Sequence, residues 1–134
     1  MNTWLYQLSE RRWPRKKFLR DVREGQNLEW YHRKIVGECT PSRGDALFFF
    51  YAPTGAKIPG ICGSAVIDGL DAQEETISFR VVRPTNRLRE DPWWDKSVKK
   101  LVNKIRGGCP RGTLFYMQND QRDSMSIGIK AWLQ

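Results

Sequence analysis

Residues 45–51 read Asp45-Ala46-Leu47-Phe48-Phe49-Phe50-Tyr51, and this run decides the fold. Leu47 to Phe50 places four large apolar side chains in unbroken succession. In an extended strand successive side chains point to opposite faces, so both faces must be covered and the strand must be central in its sheet. Downstream, Pro53-Thr54-Gly55 makes a turn. Ile58 to Leu70 is apolar and rich in small residues (Gly60, Cys62, Gly63, Ser64, Ala65). Such a strand passes close to another backbone or bends around a barrel corner. Residues 76–82 alternate, with Ile77, Phe79 and Val81 inward and Ser78, Arg80 and Val82 outward, which predicts a further strand. Upstream, Gly37, Pro41, Ser42 and Gly44 make 37–44 a loop.

The two ends of the chain add helices. Met1 to Leu8 puts Trp4, Tyr6 and Leu8 on one face of a first strand. The basic stretch Arg11–Arg23 follows. Pro14 suits a first helical turn, Phe18, Leu19 and Val22 recur at helical spacing, and Gly25 is a stop. Asn27 to Lys34 carries Leu28, Trp30, Tyr31 and His32 without a decisive period. Pro84 to Trp94 reads as a polar loop ending in Pro92-Trp93-Trp94. Asp95 can cap a helix in which Val98, Leu101, Val102 and Ile105 share one face, and Gly107-Gly108 ends it. Thr113 to Met117 reads as a strand, and Ser126 to Leu133 as either a strand or a short closing helix. The expected order is strand, helix, several strands, a second helix and a closing strand. That order predicts an α+β fold: a small curved sheet or barrel of mixed or antiparallel strands, flanked by two or more helices.

The chain has 134 residues, 40% of them hydrophobic and 28% charged, which predicts a single globular domain over 1–134. Its longest apolar run, Ala46 to Ala52, is far too short to span a bilayer. The first twenty residues lack the apolar core of a signal peptide. Cys39, Cys62 and Cys109 are far apart and lack the close pairing of zinc sites, so neither a disulfide framework nor a metal site is expected, and reduced thiols in a cytoplasmic protein fit best. The net charge of +8 attracts polyanions, the competing reading being a basic surface kept for solubility.

No arrangement of residues assigns a catalytic centre. His32 is the single histidine, and no local signature joins it to a cysteine or serine. Phosphate-cradling glycine loops are absent, and neither a cofactor nor a metal is called for. Glu74-Glu75 and Asp120/Asp123 sit in turn-like polar contexts and read as solvated surface. Binding chemistry is better represented. Arg11, Arg12, Arg15, Lys16, Lys17 and Arg20 form one basic cluster, and Lys99, Lys100 and Lys104, with Lys96 and Arg106, form a second. Such clusters neutralise phosphates and release counterions. Trp30, Trp93 and Trp94 fall in segments read as loops or element edges, where an aromatic face can stack a base. His32 reads as a surface or pocket-lining residue.

The stretch Ser42-Arg43-Gly44-Asp45 through Tyr51, followed by Ile58-Pro59-Gly60-Ile61-Cys62-Gly63-Ser64-Ala65-Val66, resembles the EVE group of PUA-like domains. Those carry a Pro-Gly-Asp turn, where this chain has Arg43 in place of the proline, a hydrophobic strand ending near Tyr, a variable turn, and a strand of the type Gly-Ile-x-Gly-x-Ala-x-Val. Trp4-Leu5 on a first strand and Arg111-Gly112-Thr113-Leu114 after a late helix also match. The resemblance implies a PUA-type β-barrel, similar to YTH and ASCH domains, and the reading of modified bases, chiefly modified cytosines in DNA. It makes Trp30, Tyr51, Trp93 and Trp94 the candidate walls of a base pocket, to which His32 is added as a pocket-lining candidate, and nucleic acid, DNA or RNA, the partner. Two alternatives stand beside it. One is an ASCH-like hydrolase of RNA or modified nucleosides, using Lys34 or Lys57 with Glu38 or Asp45. The other is a protein-interaction module whose basic faces dock on an acidic partner.

Overall fold

The run at 45–51 forms the middle strand of the sheet. The computed structural model describes residues 1–24, 29–32, 34–37, 39–53, 59–80, 93–108 and 112–132. Its elements are β1 (Thr3–Leu8), α1 (Arg15–Glu24), β2 (Glu29–Tyr31), β3 (Ile35–Val36), β4 (Ala46–Tyr51), β5 (Gly60–Asp71), β6 (Thr76–Arg80), α2 (Lys96–Arg106), β7 (Leu114–Met117) and α3 (Asn119–Trp132). Among the described residues these strands make one seven-stranded sheet in the order β2-β6-β5-β4-β1-β7-β3. β1 runs parallel to β4, and β3 parallel to β7; the other pairings are antiparallel. The mixed-sheet α+β expectation is met.

The pleat divides β4 as a central strand requires. Leu47, Phe49 and Tyr51 enter one apolar cluster and Phe48, Phe50 and Ala52 the other. The first cluster lies inside a curl. Tyr6 on β1 and Phe79 on β6 are three strand positions apart, roughly 14 Å on a flat sheet, yet their ring centroids are 6.2 Å apart. Two irregularities on β5 help it bend. Cys62 is an extra residue between the pairs Phe49–Gly63 and Phe50–Ile61, and Asp68 is another between Ile67–Phe79 and Gly69–Ser78. Bulges of this kind sharpen local twist and bend a strand. α1 closes the concave side. Trp13, Phe18 and Phe49 stack edge to face, with centroids 4.9 Å and 4.7 Å apart, a favoured geometry for aromatic quadrupoles.

The convex side is covered by α2 and α3. Val98, Val102 and Ile105 of α2 and Met125 and Ile129 of α3 pack on Leu5, Phe50, Phe115 and Met117. Asp95 caps α2 as its spacing predicts, accepting from the Val98 amide at 2.9 Å, and Gly107 ends it at φ +56°.

At the carboxyl-terminal region the helix, not the strand, of the two readings of 126–133 forms, over the described residues up to Trp132. α3 begins seven residues earlier, at Asn119, and includes Asp120 and Asp123, which belong to a helix rather than a turn. Among its described side chains only Met125 and Ile129, one turn apart, are buried. So sparse a stripe gives little helical period, and packing on the convex face makes the helix. Ile35–Val36, outside any expected strand, pairs with β7. Thr54, Gly55 and Ile58, together with Val81, Val82 and Pro84 to Pro92, lie outside the described residues.

Candidate nucleic-acid interface

The two edge strands of the sheet, β2 and β3, are neighbours in sequence. Only residues 32–34 separate Tyr31 from Ile35, and four Cα–Cα steps span at most roughly 15 Å. The ends of the two edges therefore approach each other, and the sheet curls into a half-barrel whose seam carries His32 and Lys34. Inside, the Tyr6 hydroxyl donates to the Tyr31 carbonyl at 2.5 Å. On the far side of the seam the Thr113 and Leu114 amides donate to the Lys34 carbonyl. His32 lies between these ties. Its amide donates to the Glu75 carbonyl at 2.8 Å. Its side chain is 8% exposed, and Nε2 is buried without a hydrogen-bond partner. Leaving such a nitrogen unpaired costs on the order of 1–3 kcal/mol, which a ligand group able to bond it would recover.

The basic clusters separate. α1 reaches the concave cluster through Phe18, with Trp13 just before it, and α2 belongs to the convex one. Arg11, Arg12, Lys16, Lys17 and Arg20 are exposed, and Arg15 is half-buried. The α1 turn is set locally. The Glu10 carboxylate accepts from the Arg15 amide at 3.2 Å, and the Asp21 carboxylate accepts from Trp13 Nε1 at 3.1 Å. Lys99, Lys100 and Lys104 are exposed on α2, across the sheet from α1.

The five base-pocket residues do not converge. Tyr51 is fully buried in the concave cluster, and its hydroxyl donates to the Trp13 carbonyl at 2.7 Å. Burial holds its phenol well above the usual range, so it is a packing and tying residue. Trp93 and Trp94 are on the convex side. Trp93 pairs with Ile61 through its backbone and donates Nε1 to Asp95 at 2.9 Å, and Trp94 packs on Phe50 with centroids 5.6 Å apart. Trp30 lies on β2, paired with Ile77; its ring is outside the described side chains. His32 follows directly on the same segment. Tyr31, 43% exposed beside it, is an accessible aromatic residue that the sequence pattern did not single out. Its signal in the sequence is only its place between Trp30 and His32, in a segment without a decisive period.

Of the groups of the hydrolase alternative, Lys34 is exposed and uses its backbone carbonyl at the seam, while the Asp45 carboxylate is engaged in the fold. Asp45 accepts from the Asn2 amide at 3.0 Å, Trp4 Nε1 at 3.0 Å and the Ser42 amide at 2.9 Å. It joins β1 to the turn before β4, with Gly44 at φ +94° supplying the left-handed backbone. Lys57 and Glu38 lie outside the described residues. Burial pushes the Cys62 thiol up to about 12, so it is not a thiolate nucleophile at neutral pH.

No protein-family model matches the sequence, and no curated protein matches it. Solved structures do match. A hypothetical protein from Leishmania major superposes with a TM-score of 0.66 at 13% identity, over 100% of this chain and 98% of that one. The human THYN1 protein, solved in complex with 5-methylcytosine-containing DNA, gives 0.57 at 15% identity, over 96% and 98%. The fold is PUA-like. ASCH from Zymomonas mobilis gives 0.52 at 12% identity, over 94% of each chain. Within this PUA-like fold the Gly-Asp turn and the small-residue strand are accounted for physically: Asp45 ties the start of β4 to β1, and the small residues of β5 let it bend. Among the described residues, no helix is long and apolar enough to cross a membrane.

Proposed function

We propose that this chain, as one PUA-like domain over residues 1–134, binds nucleic acid and reads a single base at the barrel seam. The observation that carries this reading is His32, a buried imidazole whose Nε2 has no partner, set between the two edge strands. An imidazole nitrogen can pair with a base edge, and the adjoining strand carries the aromatic residues Trp30 and Tyr31, on opposite faces of the pleat, so that one of the two would stack on it. The cations on and before α1 (Arg11, Arg12, Arg15, Lys16, Lys17 and Arg20) hold the phosphates. Support also comes from the human THYN1 structure, whose ligand is DNA containing 5-methylcytosine. The reading narrows the pocket to the β2 segment and leaves Tyr51, Trp93 and Trp94 to packing.

The test is equilibrium binding to single- and double-stranded oligonucleotides, DNA and RNA, with and without 5-methylcytosine, over a salt series. Affinity should fall steeply with salt. Replacing Lys16, Lys17 and Arg20 by Ala should weaken binding to all sequences alike and reduce the salt slope by about one for each phosphate no longer neutralised. His32→Ala should leave the slope alone and remove base preference, by about tenfold for one good hydrogen bond. Salt-independent binding, or none to any of these oligonucleotides, would overturn the proposal.

A further inference from the structure

The second basic surface is left without a role by this reading, because α2 lies across the sheet from α1. Between α2 and α3 runs an open groove of about 430 Å3. Its apolar lining is Trp93, Leu101 and Ile127, and its charged lining is Lys100 and Lys104 alone. Ile127 is 72% exposed, although Met125 and Ile129 on the same helix are buried. The floor is shaped by a close approach. A Cβ at Gly128 would lie 2.0 Å from Trp93 Cη2, so the glycine lets the indole press against α3. Along α2 the charge is of one sign: Lys96, Lys99, Lys100, Lys104 and Arg106 face no acid within 96–106.

We propose that this groove docks an acidic amphipathic segment of a partner protein. Charge complementarity and the exposed Ile127 together define the occupant. Lys100 and Lys104 are one helical turn apart, so carboxylates at the same spacing on a bound helix can meet both. A leucine or phenylalanine between those carboxylates would cover Ile127 and Leu101. A sugar–phosphate backbone would satisfy the lysines but leave the isoleucine in water, which favours a protein occupant over a nucleic-acid strand. The inference is independent of the base-reading proposal, since it uses the other face of the sheet.

The experiment uses fluorescein-labelled amphipathic peptides of about 14 residues, four helical turns, with Glu pairs one turn apart and Leu or Phe between them. Controls are polyglutamate of equal length and the same peptides with Lys for Glu. The full chain should bind the Glu–Leu or Glu–Phe peptides at least about tenfold more tightly than polyglutamate, the gain expected from burying one large apolar side chain. Ile127→Glu should abolish that advantage, and K100E with K104E should abolish binding. Neither change should alter α1-dependent oligonucleotide binding or thermal unfolding, because all three residues are largely solvated. Binding no tighter than to polyglutamate, or unaffected by Ile127→Glu, overturns the proposal. So does loss of oligonucleotide binding in the K100E/K104E variant, which would assign the groove to nucleic acid.

Discussion

The two faces of the sheet are built from different materials. The concave face is aromatic: Trp4, Tyr6, Trp13, Phe18, Phe49, Tyr51 and Phe79 fill the curl, and two tyrosine hydroxyls are spent on backbone carbonyls at its rim. The convex face is mostly aliphatic and methionine, with Val98, Val102, Ile105, Met117, Met125 and Ile129 under two helices. Its polar anchor is Asp95. Rings in fixed edge-to-face contact make a rigid, closed interior. Aliphatic helix packing over a sheet makes a layer that can leave a groove open at its outer surface. Ligand sites are accordingly expected at the seam of the rigid side and between the helices of the other.

Three substitutions probe that contrast. The largest effect is expected inside the curl. Phe49 touches Tyr6, Phe18 and Phe79, so Phe49→Ala should lower unfolding free energy by about 3–5 kcal/mol, read from the urea midpoint. A decrease below about 1 kcal/mol would mean that the concave core can collapse around the cavity, and the rigidity contrast would fail.

On the convex side, Gly128→Ala drives a methyl into the Trp93 ring. Overpacking of this kind costs about 1–3 kcal/mol. Unchanged stability would mean that α3 shifts freely over the indole.

The smallest effect concerns Asp95. Its carboxyl is held below the usual range by the Val98 amide, then by the Ser97 hydroxyl and Trp93 Nε1. Asp95→Ala should cost about 1 kcal/mol at neutral pH. Because the folded-state pKa is depressed, that contribution is fully present above the ordinary aspartate value of about 3.9 and is lost as pH falls through the depressed one. The stability gap between wild type and variant should therefore close in acid. A gap that persists there would assign the effect to packing.

Legibility varied along the chain for physical reasons. The β4 run, the alternation of Ile77 and Phe79, the α2 stripe and its Asp95 cap are local patterns, and each forms as read. For α3 the pattern left strand and helix both open over 126–133 and gave no sign of the start at Asn119, because the stripe through Met125 and Ile129 is faint. For the site, the basic α1 surface was readable from spacing, whereas the pocket was not. Tyr51, Trp93 and Trp94 all look like pocket aromatics in one dimension, and the pleat sends Tyr51 to the opposite side of the sheet from the two tryptophans.

Sequence patterns were enough to mark β1, β4, β5, β6 and β7 as extended, α1 and α2 as helical, Asp95 and Gly107 as the bounds of α2, and the charge as strongly cationic. These follow from side-chain period, cap chemistry and charge, all properties of near neighbours. Tertiary structure alone decided that β2 and β3 meet as edges, that His32 is buried at their seam, and that the two basic helices lie on opposite faces. Those outcomes depend on strand order and on bends at Cys62 and Asp68, which bring together residues far apart in the chain and leave no periodic trace in it.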